Sequence, residues 1–378
     1  MPDAHLHQKN KVQPYDKLLT KFNGCTYLLI IKPIAMLKKI SAASIGILGI
    51  LSLNAQSDSS KKATTTFSGS VDAYYRYNFS DPPGGTNNLT SFTNSQNSFE
   101  LGMASIKIDH SIGKVSATVD LGFGRRAQEF SYNEPGTTLS AVKQAYVSFA
   151  ASDKLKFSIG KWATHIGYEL LDAGLNRNYS MSYGFSYGPF SHTGIKADIS
   201  LGGKSALMLG IANPTDYVSA PNSTKMVLAQ FSTATKNDKL KAFLNFQGGT
   251  GLTQFDLVLT GTITDKFNIG YDGTLQSSKI GTTNSSWKAH TLYLNLDPTP
   301  VFGLTLRADY FDDRKLSPLL GGANKIFATT LSANVKVDHL TIIPELRLDN
   351  AKGAVFTKGD GSATKSTASF ILAAVYTF

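Results

Sequence analysis

The stretch Phe370-Ile371-Leu372-Ala373-Ala374-Val375-Tyr376-Thr377-Phe378, on which the chain stops, decides the fold. Side chains along a strand alternate between two faces, so Phe370, Leu372, Ala374, Tyr376 and Phe378 share one of them. That face is apolar throughout and finishes on two aromatic rings. An edge strand of any protein can end this way, so the reading depends on whether earlier segments repeat the pattern.

They do. Residues 65–79 set Val71, Ala73, Tyr75, Tyr77 and Phe79 against Asp72, Tyr74, Arg76 and Asn78. Residues 115–124 set Val115, Ala117, Val119, Leu121 and Phe123 against Ser116, Thr118, Asp120 and Gly122. In 255–263, Phe255, Leu257, Leu259 and Ile263 oppose Asp256, Thr260 and Thr262, and 267–275 repeats the rule with Asp272 on its polar side. Strands near 304–310 and 340–348 place Arg307, Asp309, Glu345 and Arg347 on the polar parity. Pro344 falls on the apolar parity, a misfit for a hydrogen-bonded ladder. In all, roughly sixteen strands are expected, and no segment sustains a helical period beyond a short turn near Glu169–Ala173.

The connections alternate in length. Tight turns are expected at 111–114, 151–154, 201–204, 236–239, 264–266, 297–303 and 337–339. Between them lie longer polar stretches at 80–97, 125–140, 163–190, 213–223, 247–252, 277–286, 312–324 and 350–364. Seven short and eight longer connections are what sixteen antiparallel strands need when both termini lie on the short-turn side. The implied fold is all-β: a transmembrane antiparallel up-and-down β-barrel of about sixteen strands. In hydrocarbon an unpaired backbone group costs several kcal/mol, so a sheet there must close on itself, and strands of about 9–11 residues suffice to cross. A soluble β-sandwich would also alternate, but its strict short–long rhythm would be accidental. Aromatic residues toward strand ends (Tyr75, Tyr77 and Phe79; Phe123; Tyr310 and Phe311; Tyr376 and Phe378) are placed as interfacial girdles. A closing strand of this kind resembles that of Gram-negative outer-membrane barrels, which implies that Tyr376 and Phe378 act as an assembly signal for the barrel-assembly machinery.

Composition agrees. The chain is 42% hydrophobic, with 33 glycines, 16 tyrosines and 22 phenylalanines, usage that suits short strands and turns. Near the start, Met36-Leu37-Lys38-Lys39 precedes the apolar run Ile40–Leu53 and then Asn54-Ala55. A basic segment, a short apolar run and a small residue describe a secretory signal peptide, here 36–55 with cleavage after Ala55. The run is shorter than the roughly 20 apolar residues of a transmembrane helix. Residues 1–35 are then an upstream extension, and residues 56–378 form the barrel. The one cysteine, Cys25, lies in the extension, so disulfides and thiol chemistry are not expected. Removing 1–55 takes away seven Lys and two acidic residues, leaving 30 basic against 25 acidic side chains, +5 rather than +10. No basic run remains, so a nucleic-acid partner is not expected.

A barrel of this size is wide enough for an aqueous channel. Arg76, Asp256, Arg307, Asp309, Glu345 and Arg347 take the inward parity, where charge costs little, whereas a lipid-facing Arg or Lys at mid-depth costs about 2–4 kcal/mol. The longest connection, 163–190, has 28 residues and is rich in apolar and aromatic side chains, which argues against disorder. It is expected either to fold into the lumen as a constriction, with Glu169, Asp172, Arg177 and the nearby Arg125 and Arg126 facing the aperture, or to cap the barrel outside.

Within this region Gly160-Lys161-Trp162, Gly167-Tyr168-Glu169, Asn176, Ser180 and His192-Thr193-Gly194 resemble the central signature of the OmpL-like β-barrel porin-2 family. The strand pattern extends the likeness over roughly 64–378. The resemblance implies a porin of a Gram-negative outer membrane, contacting its lipid and passing small hydrophilic solutes, with no catalytic set to carry over. Association into a homo-oligomer stays open.

Other chemistry is weakly marked. His110, His165, His192, His290 and His339 make no H-x-x-x-H or H-x-H pair, so no zinc site is expected. Asp309, Asp312 and Asp313 lack the spacing of a calcium loop. No cofactor is expected. A surface hydrolase would need Ser180 or Ser182 beside His165 or His192, without any sequence context for a nucleophile. The alternative to general diffusion is a substrate-specific channel or an adhesin-like barrel, with Tyr168, Tyr179, Tyr183, Phe185 and Tyr187 as a sugar-stacking path.

Overall fold

The structure is a computed structural model, and it describes residues 62–378 except 250, 316–319 and 321–324. The expected extension, signal peptide and Cys25 lie outside the described residues.

Sixteen strands close into one antiparallel barrel, each bonded to its neighbours in sequence. In order they are β1 (Ala63–Asn78), β2 (Ser98–Ile112), β3 (Val115–Phe123), β4 (Val142–Ser152), β5 (Leu155–Ala163), β6 (Ser191–Gly202), β7 (Ser205–Ala212) and β8 (Met226–Ala234). Then come β9 (Leu240–Gly249), β10 (Leu252–Thr264), β11 (Phe267–Ile280), β12 (Thr283–Thr299), β13 (Phe302–Lys315), β14 (Lys325–Val337), β15 (Leu340–Ala351) and β18 (Ser366–Thr377). A small hairpin, β16 (Phe356–Thr357) with β17 (Ala363–Thr364), stands apart from the barrel between β15 and β18. Closure joins β1 to β18, from Ser70 opposite Thr377 to Asn78 opposite Ser369. At the seam Gly69 exchanges two backbone hydrogen bonds with Phe378, at 2.9 and 3.0 Å.

Seven short connections share the rim where the barrel begins and ends, and the longer ones occupy the other rim. Two expected loops, 247–252 and 277–286, are instead mostly strand. Pairing runs to Gly249 opposite Leu252 and to Ile280 opposite Thr283, with Gln247 donating to Gln254 and Ser278 bonded to Ser285 across the two ladders, each at 2.7 Å. The β14–β15 ladder keeps one register on both sides of Pro344, although a proline N cannot donate there.

Alternation is realised as two surfaces. Val71, Ile159, Ile211, Leu244, Leu331 and Leu372 are exposed on the outer face. Aromatics ring it at both ends: Phe67, Phe149, Phe302, Tyr376 and Phe378 toward the short turns, Phe79, Phe99 and Phe123 toward the loops. Phe311 departs from the expected girdle; it is fully buried on the inner face, against Trp287 at 5.2 Å between ring centroids.

The inner face is not uniformly polar. Ile371, Ala373 and Val375 of the last strand point inward and pack with Tyr74, Ile343, Ala173 and Tyr179. Toward the loop rim, Phe92, Met103, Phe130, Leu171, Met181, Phe185 and Phe190 form a second apolar cluster inside the wall. Two short helices belong to these fillings: α1 (Arg125–Phe130) and α2 (Tyr183–Tyr187). With 6 and 5 residues they are too short to print a helical period in the sequence.

Candidate functional site

The site is the segment 164–190, which leaves the barrel wall after β5 and returns to it at β6. Its neck is closed by the Thr164 N–H donating to the Phe190 carbonyl at 3.0 Å. Between those points the chain makes only a short 3-10 turn, Ala173–Leu175, and α2. Irregular backbone inside a barrel still has N–H and C=O groups to satisfy. Inward charges of the wall supply the partners.

Carboxylates accept the segment's amide hydrogens. Gly167 N donates to Asp256 at 3.1 Å and Tyr168 N to Asp272 at 3.0 Å. Tyr179 N and Ser180 N donate to the two oxygens of Glu345 at 2.8 and 3.1 Å, and Tyr183 N donates to Asp309 at 2.6 Å. Arginines donate to its carbonyls. Arg307 Nη1 reaches Ser180 O at 2.6 Å, Arg347 Nη1 reaches Met181 O at 2.7 Å, and Arg126 reaches Leu171 O and Tyr179 O at 3.1 and 3.2 Å. Glu169 closes the set: one oxygen meets Arg307 at 2.7 Å and the other accepts from Ser182 N at 2.7 Å.

Two ion pairs fasten the segment to the wall. Arg177 grips Asp297 with both terminal nitrogens, at 2.5 and 3.1 Å, and Asp172 meets Lys143 at 2.5 Å. Lys143 also pairs with Asp120 at 3.0 Å, so the segment spans from β4 to β12. Tyr168 lies flat on Tyr293, ring centroids 4.2 Å apart, over Gly270, where a Cβ would come within 2.7 Å of the ring.

The expected site residues therefore divide. Arg126, Glu169, Asp256, Arg307, Asp309, Glu345 and Arg347 converge on the segment and are buried beneath it rather than presented to an aperture. Arg76 is also buried, but it serves the loop after β1, donating to Thr86 O and Ser95 O at 2.7 and 2.6 Å. Arg125, Asp172 and Arg177 keep part of their side chains exposed, 38%, 24% and 29%. Tyr376 and Phe378 sit on the outer face at the seam. Lys143, Asp297 and Asp349, the last pairing with Arg347 at 2.9 Å and accepting from the Tyr183 hydroxyl at 2.7 Å, were missed. Lys143 lies where the β3–β4 register shifts beside Asp120, so counting by twos along β4 misplaces it.

The rival chemistries are differently placed. Ser180 Oγ accepts from Arg307 at 3.2 Å and Ser182 Oγ caps α2 by accepting from Phe185 N at 3.2 Å; His165 and His192 bond elsewhere. Tyr179, Tyr183 and Phe185 are buried against protein, so the expected stacking path has no free faces there. Asp309 is taken up by Tyr183 N, while Asp312 faces Lys325 at 3.6 Å. Among the described residues no group of three or more His, Cys, Asp or Glu is gathered for a metal.

Above the segment, Asp216 ties three loops together. It accepts from Phe190 N and Ser191 N at 2.8 and 2.7 Å and from the Tyr132 hydroxyl at 2.9 Å. Burial pushes its carboxyl up to about 6, against those hydrogen bonds. Burial raises the Tyr132 hydroxyl too, reinforced by Asp216.

A closed sixteen-strand barrel, greasy outside and charged inside, with one long loop laid through its lumen, is the architecture of a porin-type outer-membrane channel. The sequence profile of the "beta-barrel porin-2, OmpL-like" family matches residues 64–378, and the chain belongs to that family. It is thus an outer-membrane channel for passive diffusion. No curated protein sequence matches it. Among solved structures it is similar to the outer-membrane channel DcaP of Acinetobacter baumannii, with TM-score 0.55, 13% identity, and coverage of 84% of this chain and 97% of that one. In-vitro folded OmpT of Vibrio cholerae gives TM-score 0.55 and 12% identity over 86% and 99% of the two chains. At such identities the likeness is one of fold.

Proposed function

We propose that small hydrophilic solutes and ions pass through the part of the lumen that the segment 164–190 leaves free, meeting the wall at the short-turn ends of β2, β5 and β6. One contrast carries this reading. Inward charges facing the segment are buried, whereas on that wall Lys107 and Asp109 keep 36% and 42% of their side chains exposed, and Lys156 and Asp198 keep 52% and 32%. From the segment's side Asp172 borders the same space, lining one cavity with Lys107. The chain reaches the membrane by the signal peptide 36–55 and is inserted by assembly machinery that reads Tyr376 and Phe378.

Recordings in planar bilayers test the reading. Ohmic steps with little solute block are expected, and Lys107→Gln should shift the reversal potential in a salt gradient. Saturable block by one solute class would instead favour a specific channel. Complete absence of conductance from folded protein would point to a binding barrel.

A further inference from the structure

Two histidines far apart in sequence meet at the neck of the lumen segment. The His165 and His192 rings are 5.2 Å apart between centroids. Each is oriented through Nε2: His165 to the Phe246 carbonyl at 3.1 Å, His192 to the Thr164 hydroxyl at 3.1 Å. Both Nδ1 atoms are buried without a partner, as is Trp162 Nε1 beside them. Trp162 and His192 face each other across the β5–β6 ladder, and both are buried. Buried polar atoms in native proteins nearly always have partners, so two orphaned imidazole nitrogens in one place need an explanation.

We propose that His165 and His192 bind a divalent transition-metal ion of the copper, nickel or zinc kind through their Nδ1 atoms. An imidazole fixed through one nitrogen and free at the other is how metal-binding histidines are set. Two imidazoles on one ion, each at about 2.0–2.1 Å, place their ring centres about 5 Å apart. Nitrogen ligands suit these ions and not magnesium or calcium, which take oxygen. Lys196 lies nearby, 5.8 Å over the Trp162 ring, but its charge is met by Asp198 at 3.2 Å. The location has a consequence: His165 opens the segment and His192 lies on the strand that receives its other end, so one ion ties the two ends together.

Trp162 is the reporter. The chain has two tryptophans, and Trp287→Phe leaves Trp162 alone, so paramagnetic copper(II) chloride can be titrated against its fluorescence. Saturable quenching is expected, weakened at least about tenfold in both His165→Gln and His192→Gln, while His339→Gln at a rim turn leaves it unchanged. Each protein is first shown to run as a folded, heat-modifiable barrel. Equal quenching in both site variants, or no saturable quenching in a folded parent, overturns the proposal.

Discussion

At the residue scale, inward charges that look like pore lining act as fasteners. Arg307 is fully buried, and it serves Glu169 and two segment carbonyls at once. Removing one partner of a buried pair leaves the other uncompensated, at about 3–5 kcal/mol. Arg307→Gln should therefore loosen the segment: faster proteolytic cleavage within 164–190 and larger, noisier conductance steps. Cleavage and step size equal to the parent's would show that the pair does not hold the segment. Gly69 makes a steric claim of the same kind. A Cβ there would approach the Phe378 ring within 2.5 Å and the Ser105 carbonyl within 2.4 Å. Gly69→Val should strain the closing seam and lower the fraction reaching the heat-modifiable form on refolding, whereas Gly85→Val, in an open loop, should not.

At the element scale, parity explains the strands and fails for the loops. Period-two alternation gave β1, β3, β10, β11, β13, β15 and β18 their faces, since a one-residue slip would turn every apolar side chain inward. The loops carry no such periodicity, and their partners come from strands far away: Glu345 for Tyr179, Asp272 for Tyr168. The tether at Asp216 predicts a pH effect with a definite sign. Its folded-state value near 6 lies above the ordinary carboxylate value, so the folded form binds the proton more tightly. That contribution is complete below the ordinary carboxylate range and is lost as pH rises through 6. Hydrogen exchange at Phe190 and Ser191 should be better protected at about pH 5 than at about pH 7, after correction for intrinsic rates. Asp216→Asn should flatten the difference; protection that falls on acidification would refute the assignment.

At the scale of the whole molecule, folding and function rest on closure. Deleting Phe378 removes both hydrogen bonds to Gly69 and one ring of the outer girdle. It should leave more protein heat-unmodifiable and outside the membrane fraction, with correctly inserted molecules keeping the parent's conductance. The alternation of apolar and polar residues, the rhythm of turns and loops, and the aromatic last strand determined the barrel from sequence alone, because a membrane sheet with a greasy face has to close and period two is written locally. Only the tertiary structure decided what fills that barrel. Whether Glu169, Arg307 or Arg347 faces water or the backbone of 164–190 depends on where an irregular segment runs, and that is set by contacts between residues more than a hundred positions apart.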